Sequence, residues 1–329
     1  MKRKYAVCIF ALMLAASIVS AALPMPAFGQ PKTETFIPGK CGFAVRIDNL
    51  ENRYHRMSFF LMPRVPMDFQ IIDGLPGSYD ITFSDGKLVM TNDRQGKWHP
   101  PLSSGIYTLS IHSAARNEKM DILGFVMVPL DRVDRNGYLN GYRIGAYPAI
   151  PLKQLPIYKP PKGLIEIHED SIDMAVSPHF HLGQFICKQA GGYPKYMLLQ
   201  TRLLMKLELI LAELNLRGYR CDTFVVLSGY RTPFYNRSIG NVKYSRHLWG
   251  GAADIFVDQN PRDNYMDDLN RDGHIDWKDA EIVYDIVDAL YGRPFYEPFI
   301  GGLGWYRKNN VRGPFVHIDV RGHRARWGD

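Results

Sequence analysis

Short runs in which apolar and polar residues alternate fill the first half of the chain. Examples are Gly42-Phe43-Ala44-Val45-Arg46-Ile47, Tyr79-Asp80-Ile81-Thr82-Phe83, Ile106-Tyr107-Thr108-Leu109-Ser110-Ile111 and Ile122-Leu123-Gly124-Phe125-Val126-Met127-Val128. Period-two alternation broken by turn pairs such as Asp85-Gly86 and Asn136-Gly137 predicts β-strands, and residues 30–148 read as a small all-β, sandwich-like domain. A proline-rich stretch that includes Tyr158-Lys159-Pro160-Pro161 then predicts extended chain, so 149–176 reads as a linker. Beyond it the period changes. An apolar helical stretch runs from Pro194 or Lys195 to Leu216 and is closed by Gly218, the expected punctuation at both ends. Thr223–Leu227, Ala252–Val257 and Phe315–Val320 read as buried strands, with a helix over Lys278–Tyr291 between the last two. Short strands and helices without βαβ repetition predict an α+β domain over 177–329.

The first residues change the picture of where the chain works. Met1-Lys2-Arg3-Lys4 precedes an uncharged apolar run from Tyr5 to Ala22, and Ala27-Phe28-Gly29 offers a small-residue exit. This is the pattern of a signal peptide over 1–29, so the expected location is periplasmic or extracellular, with no stable membrane span after cleavage. The formal charge of +7 includes Lys2, Arg3 and Lys4, so the mature chain keeps +4. That mild excess, without a basic stripe, suits an anionic wall polymer and argues against nucleic acid. Cys8 leaves with the signal, and export predicts that Cys187 and Cys221, which flank one helix, form a disulfide.

Three segments of the second domain carry candidate chemistry: Ser228-Gly229-Tyr230-Arg231-Thr232-Pro233, Ser245-Arg246-His247-Leu248-Trp249-Gly250-Gly251-Ala252-Ala253-Asp254 and Phe315-Val316-His317-Ile318-Asp319-Val320-Arg321. Catalytic zinc takes three nitrogen or oxygen ligands and keeps one position open. Gly250 and Gly251 let the chain turn between His247 and a strand bearing Asp254. His317 and Asp319, two apart on a strand, share a face. Taken alone, these residues also suit ordinary polar positions on strands and loops.

The spacing of Ser245, His247, Gly250, Ala252 and Asp254 resembles the zinc D-Ala-D-Ala carboxypeptidase and murein endopeptidase family, related to lysostaphin-type peptidases and the hedgehog domain. The Ser-Gly-Tyr-Arg-Thr-Pro stretch, the His-x-Asp strand and Ser177-Pro178-His179-Phe180-His181-Leu182 follow the family's order, so the resemblance covers nearly the whole second domain. It implies His247, Asp254 and His317 as zinc ligands and Arg231 as the arginine that anchors a substrate carboxylate or steadies the oxyanion. Ser245, Tyr230 and Trp305 would contact substrate, namely peptidoglycan peptides; Trp305 and Tyr306, on the glycine-rich approach Gly301-Gly302-Leu303-Gly304, would line the cleft, though core packing explains them equally well. Many members place an acidic base three residues before the last zinc histidine. Here that residue is Pro314, which leaves Asp319 and then Glu297 as substitutes. Its absence keeps open a catalytically silent zinc module that binds cell wall, the alternative to a peptidase, and an extracellular peptidase for ordinary peptides is a third reading.

A second metal is expected on separate grounds. Residues 268–279 match an EF-hand loop, with Asp268, Asn270, Asp272, Asp276 and Asp279 at the oxygen-ligand positions and the His274 carbonyl at the seventh. Gly273 stands at the sharp turn and Ile275 at the inward apolar position. An aspartate at the twelfth place resembles the dockerin style of loop, and the spacing predicts structural calcium within the second domain.

Overall fold

The protein is described here from a computed structural model, which describes residues 35–328; the expected signal peptide lies outside them. Two sheets occupy the first half. Five antiparallel strands run in the order Leu50–Tyr54, Lys40–Ile47, Met67–Asp73, Gln95–His99, Lys87–Asn92. Four more run Arg56–Leu61, Glu118–Val126, Gly105–Ser113, Tyr79–Phe83, the first pair parallel. Alternation decides which side chains go inward. Phe43, Val45 and Ile47 are fully buried from one sheet, and Leu109, Ile111, Met120 and Ile122 from the other. At about 1.5–3 kcal/mol for each such side chain removed from water, these faces dominate the stability of this half.

The same apolar core continues into the second half. Thr201 donates its hydroxyl to the Ser58 carbonyl, and Ser58 donates its own to the Val176 carbonyl. The proline-rich stretch is packed: Tyr158 is buried against Trp249, and Gly163–Ile167 pairs with a strand at Lys195–Met197. That pairing corrects the expected helix start. Lys195–Met197 is strand, and the helix runs Thr201–Leu216. Gly218 follows with the left-handed φ of 87° that ends a helix without a Cβ penalty.

The second half is built on a five-stranded sheet ordered Val225–Ser228, Ala252–Phe256, Phe315–Asp319, Gly302–Tyr306, Ala325–Gly328. A helix at Trp277–Asp288 packs on it. Mixed sheet and helix of this kind is an α+β arrangement. Among the described residues no helix is long and apolar enough to cross a membrane.

The expected disulfide is absent. Cys41, Cys187 and Cys221 are free and buried. Cys187 lies beside Thr232 and Gln189, whereas Cys221 gives its S–H to the Thr223 carbonyl beyond the far end of the helix. A helix of 16 residues is about 24 Å long, so cysteines flanking its opposite ends are not brought together by it. Thiol titration of the denatured, unreduced mature protein should therefore find all three as free thiols, and burial raises the pKa of the Cys41 thiol to about 11.

Candidate metal centre

Sheet register brings the centre together. Asp254 pairs directly with His317 across adjacent strands, and Ser228 pairs with Asp254 on its other side. His247 arrives from a one-turn helix, Arg246–Trp249, which ends at Gly250 in a left-handed conformation (φ 61°). A Cβ on Gly250 would sit 2.3 Å from the Leu198 carbonyl, so only glycine fits this close approach.

Three ligand atoms converge. His247 Nε2 lies 3.2 Å from Asp254 Oδ1 and 3.3 Å from His317 Nδ1, and His317 Nδ1 lies 2.8 Å from Asp254 Oδ1. These three side chains are the group among the described residues whose ligand atoms meet so closely, and all three are buried. Tetrahedral zinc with bonds near 2.0–2.1 Å would space its ligands at about 3.3 Å, so the donor set fits.

Each remaining polar atom is held from behind. His247 Nδ1 donates to the Gly229 carbonyl at 2.6 Å, which leaves Nε2 as the lone-pair nitrogen. His317 Nε2 faces Asp319 Oδ2 at 3.2 Å. Asp254 Oδ2 accepts from Arg231 Nη2 at 2.7 Å, while Arg231 Nε donates to Ser228 Oγ at 2.8 Å. Carboxylates and carbonyls placed behind metal-binding histidines fix tautomer and ring orientation in this way. Burial lowers the pKa of His247, keeping the ring neutral and able to ligate. Burial opposes ionisation of Asp254, but His247 and His317 outweigh it and hold its carboxyl well below the usual range.

Asp319 has a different place from the one expected of a proton acceptor. It is wholly buried, and its oxygens take N–H groups from Gly302 (2.7 Å) and Arg321 (backbone, Nε and Nη2, 2.5–3.0 Å) besides facing His317. Burial alone would raise its pKa; the His317 and Arg321 contacts hold it well below instead. Behind it Lys206, also fully buried, donates to the Asp319 carbonyl at 2.8 Å, and burial brings its pKa down to about 7. Glu297 is exposed and does not line the cleft.

The triad opens into a cleft of about 1030 Å³. Ser245 lines it. Tyr230 does not: it is buried and shares a hydrogen bond with Tyr147 at 2.7 Å. Trp305 lies outside the lining, stacked on Trp277 (5.2 Å), whereas its strand neighbour Tyr306 lines the cleft. Consecutive strand residues face opposite ways, so one of the pair had to turn away. Trp327, which the sequence did not single out, stands 5.3 Å from the His317 ring. Gly304 makes room for it, since a Cβ there would meet Trp327 Nε1. Arg246, which lies within the second candidate segment but was assigned no role, and Arg312, which no motif marks, also line the cleft.

In the 268–279 loop the acids bond their own backbone. Asp268 accepts from Asp272 and Gly273, Asp272 from His274 and from Lys278 Nζ (3.2 Å), and buried Asp279 from Leu269, Asn270 and Asp276. Asp276 caps the Trp277–Asp288 helix by accepting from Lys278.

Residues 180–273 match the family model described as Peptidase M15. The match contains Arg231, Ser245, His247 and Asp254 and stops short of His317. With the His-Asp-His cluster it supports a peptidase of the zinc-dependent M15 kind. Comparisons with curated proteins and with solved structures give no match.

Proposed function

We propose that this chain is an exported zinc peptidase that hydrolyses peptide bonds in peptidoglycan stem peptides or cross-links, of the D-Ala-D-Ala carboxypeptidase or murein endopeptidase type. The observation that carries the reading is the convergence of His247 Nε2, Asp254 Oδ1 and His317 Nδ1 at the floor of an open cleft, each backed by a fixed partner. Export rests on the N-terminal sequence pattern.

Zinc held by these three residues supplies Lewis-acid polarisation of a carbonyl and acidification of water. The protein's own groups do the rest. Arg231 holds Asp254 in place and adds positive charge where negative charge develops on the substrate. Asp319 orients the His317 ring. Ser245 and Tyr306 border the space in which a peptide would lie.

Asp254 is the one carboxylate among the residues lining the cleft, and it serves as ligand. A cleft without a second carboxylate favours the alternative, a zinc-holding module that binds wall without cutting it. Short D-Ala-D-Ala peptides incubated with protein, with chelator, and with chelator followed by zinc separate the two. The peptidase reading expects cleavage that chelator abolishes and zinc restores. Binding of wall without cleavage in any arm would establish the alternative.

We further assign structural calcium to the loop 268–279 on its ligand spacing. A ligand that binds only the folded state adds about 2.7 kcal/mol at a hundredfold excess over its dissociation constant. Calcium should raise the melting temperature of the wild type and not of Asp272→Ala, at equal zinc content. An equal rise in both would reduce the loop to an acidic turn.

A further inference from the structure

The cleft is lined by six cations, Lys188, Arg231, Lys243, Arg246, Arg312 and Arg321, against the single carboxylate of Asp254. Two of the six are accounted for. Arg231 is engaged by Asp254 and Ser228, and Arg321 by Asp319. The other four, Lys188, Lys243, Arg246 and Arg312, have no ion-pair partner among the described residues, and Arg246 and Arg312 are the two of them with a buried, unpartnered nitrogen.

Arg246 is 3% exposed, an extreme position for a group that stays charged at any accessible pH. Its guanidinium lies 5.0 Å from the Tyr158 ring and 5.5 Å from that of Trp249. One N–H goes to the Ile157 carbonyl at 2.8 Å, and Nε is buried with no partner. Arg312 repeats the arrangement in the loop that leads into the other histidine's strand. It lies 4.2 Å from the Phe315 ring and 5.4 Å from that of Tyr306, and its Nη1 is also buried without a partner. Aromatic faces only partly replace the water lost by a guanidinium, and buried polar groups without partners are uncommon in folded proteins. Two such groups line one cleft, one on the residue before His247 and one resting on a ring two residues before His317, and neither is in an ion pair with a carboxylate of the protein among the described residues.

We propose that Arg246 and Arg312 form a carboxylate-binding subsite beside the metal ligands, which holds a carboxylate of the peptide next to the bond to be cut. This rests on the peptidase reading and adds to it which residues select the substrate. Arg231, the arginine expected for this task, is already committed to Asp254. The planar fork of a guanidinium matches a carboxylate with two parallel hydrogen bonds, so the subsite distinguishes an acid from its amide of nearly the same shape. The carboxylate could be the peptide's terminal one or an acidic side chain.

Binding by the zinc-loaded mature protein tests this with two pairs of probes: N-acetyl-D-alanine against its amide, and N-acetyl-D-glutamate α-amide against N-acetyl-D-glutamine α-amide. At least one acid should bind about tenfold or more tightly than its amide, as charge-assisted pairing requires. The pair that shows the preference tells whether a terminal or a side-chain carboxylate is taken. Arg246→Gln and Arg312→Gln should each shrink the preference. Because it is a ratio within one protein sample, partial misfolding of the buried Arg246→Gln cancels, and partly exposed Arg312→Gln provides a second reading. No preference in the wild type overturns the proposal, as does a preference that survives both substitutions, which would place the carboxylate on the metal. Turnover of a D-Ala-D-Ala peptide is followed in parallel. Preference without turnover sinks the peptidase reading and leaves the subsite, and turnover without preference sinks only the subsite.

Discussion

Alanine at His247 or at His317 should strip the protein of its metal. The wild type is expected to hold about one zinc per chain, and either variant well under half of that, because a three-ligand centre that loses a ligand loses its geometry. Peptide hydrolysis should fall by about a thousandfold or more, since no other group in the cleft can supply the chemistry of the ion. The two variants should also uncouple stability from chelation. Zinc bound only to the folded state stabilises it by mass action, so a zinc-selective chelator, with calcium kept in excess, should lower the melting temperature of the wild type and leave both variants unmoved. Elemental analysis of purified variants reads the first effect and thermal melts the second. Full zinc in both variants would remove the ligand assignment.

The second large effect is expected at Asp319, which touches no open part of the cleft. Asp319→Ala leaves Arg321 and the Gly302 N–H without their acceptor and lets the His317 ring turn. Breaking a buried charge pair from one side costs about 3–5 kcal/mol. Loss of the group behind a metal-binding histidine costs about 10–100-fold in metal affinity. Competition against a chelator of known strength measures the second and urea unfolding the first. Wild-type affinity in Asp319→Ala would mean that the His317 ring is fixed by packing alone. The pH dependence follows from the same contacts. Asp319 has a folded-state pKa well below its unfolded value, so its contribution to stability is present above the unfolded pKa of about 3.9 and is lost as pH falls towards the folded one.

The cluster of His247, Asp254 and His317 was legible through the resemblance, since the spacing taken alone also suits ordinary polar positions; a histidine, a glycine turn and a strand aspartate lie within eight residues, and His317 follows on a strand whose period shows its face. Placing His317 and Asp319 on one face was sound. What the sequence could not tell is that Gly302 and Arg321 fill the carboxylate's oxygens, since those donors come from a neighbouring strand and a loop. Non-local contacts explain the other differences. Lys195–Met197 has a helical neighbourhood, but Gly163–Ile167 claims its backbone as a strand. Trp305 and Tyr306 look equivalent in sequence, and only the sheet decides that Tyr306 faces the cleft. Arg246, Arg312, Tyr158 and Trp327 are drawn from four separated segments that share no periodicity, so no window along the chain could have gathered them.

The proposed activity of this centre is cleavage of the peptides of the cell wall. Purified sacculi incubated with the mature protein and then analysed by mass spectrometry test it most directly, with a chelated sample and His247→Ala as controls. Shortened stem peptides or opened cross-links are expected in the wild-type digest alone. Sacculi left intact by fully zinc-loaded wild type, or cut equally by His247→Ala, would contradict it.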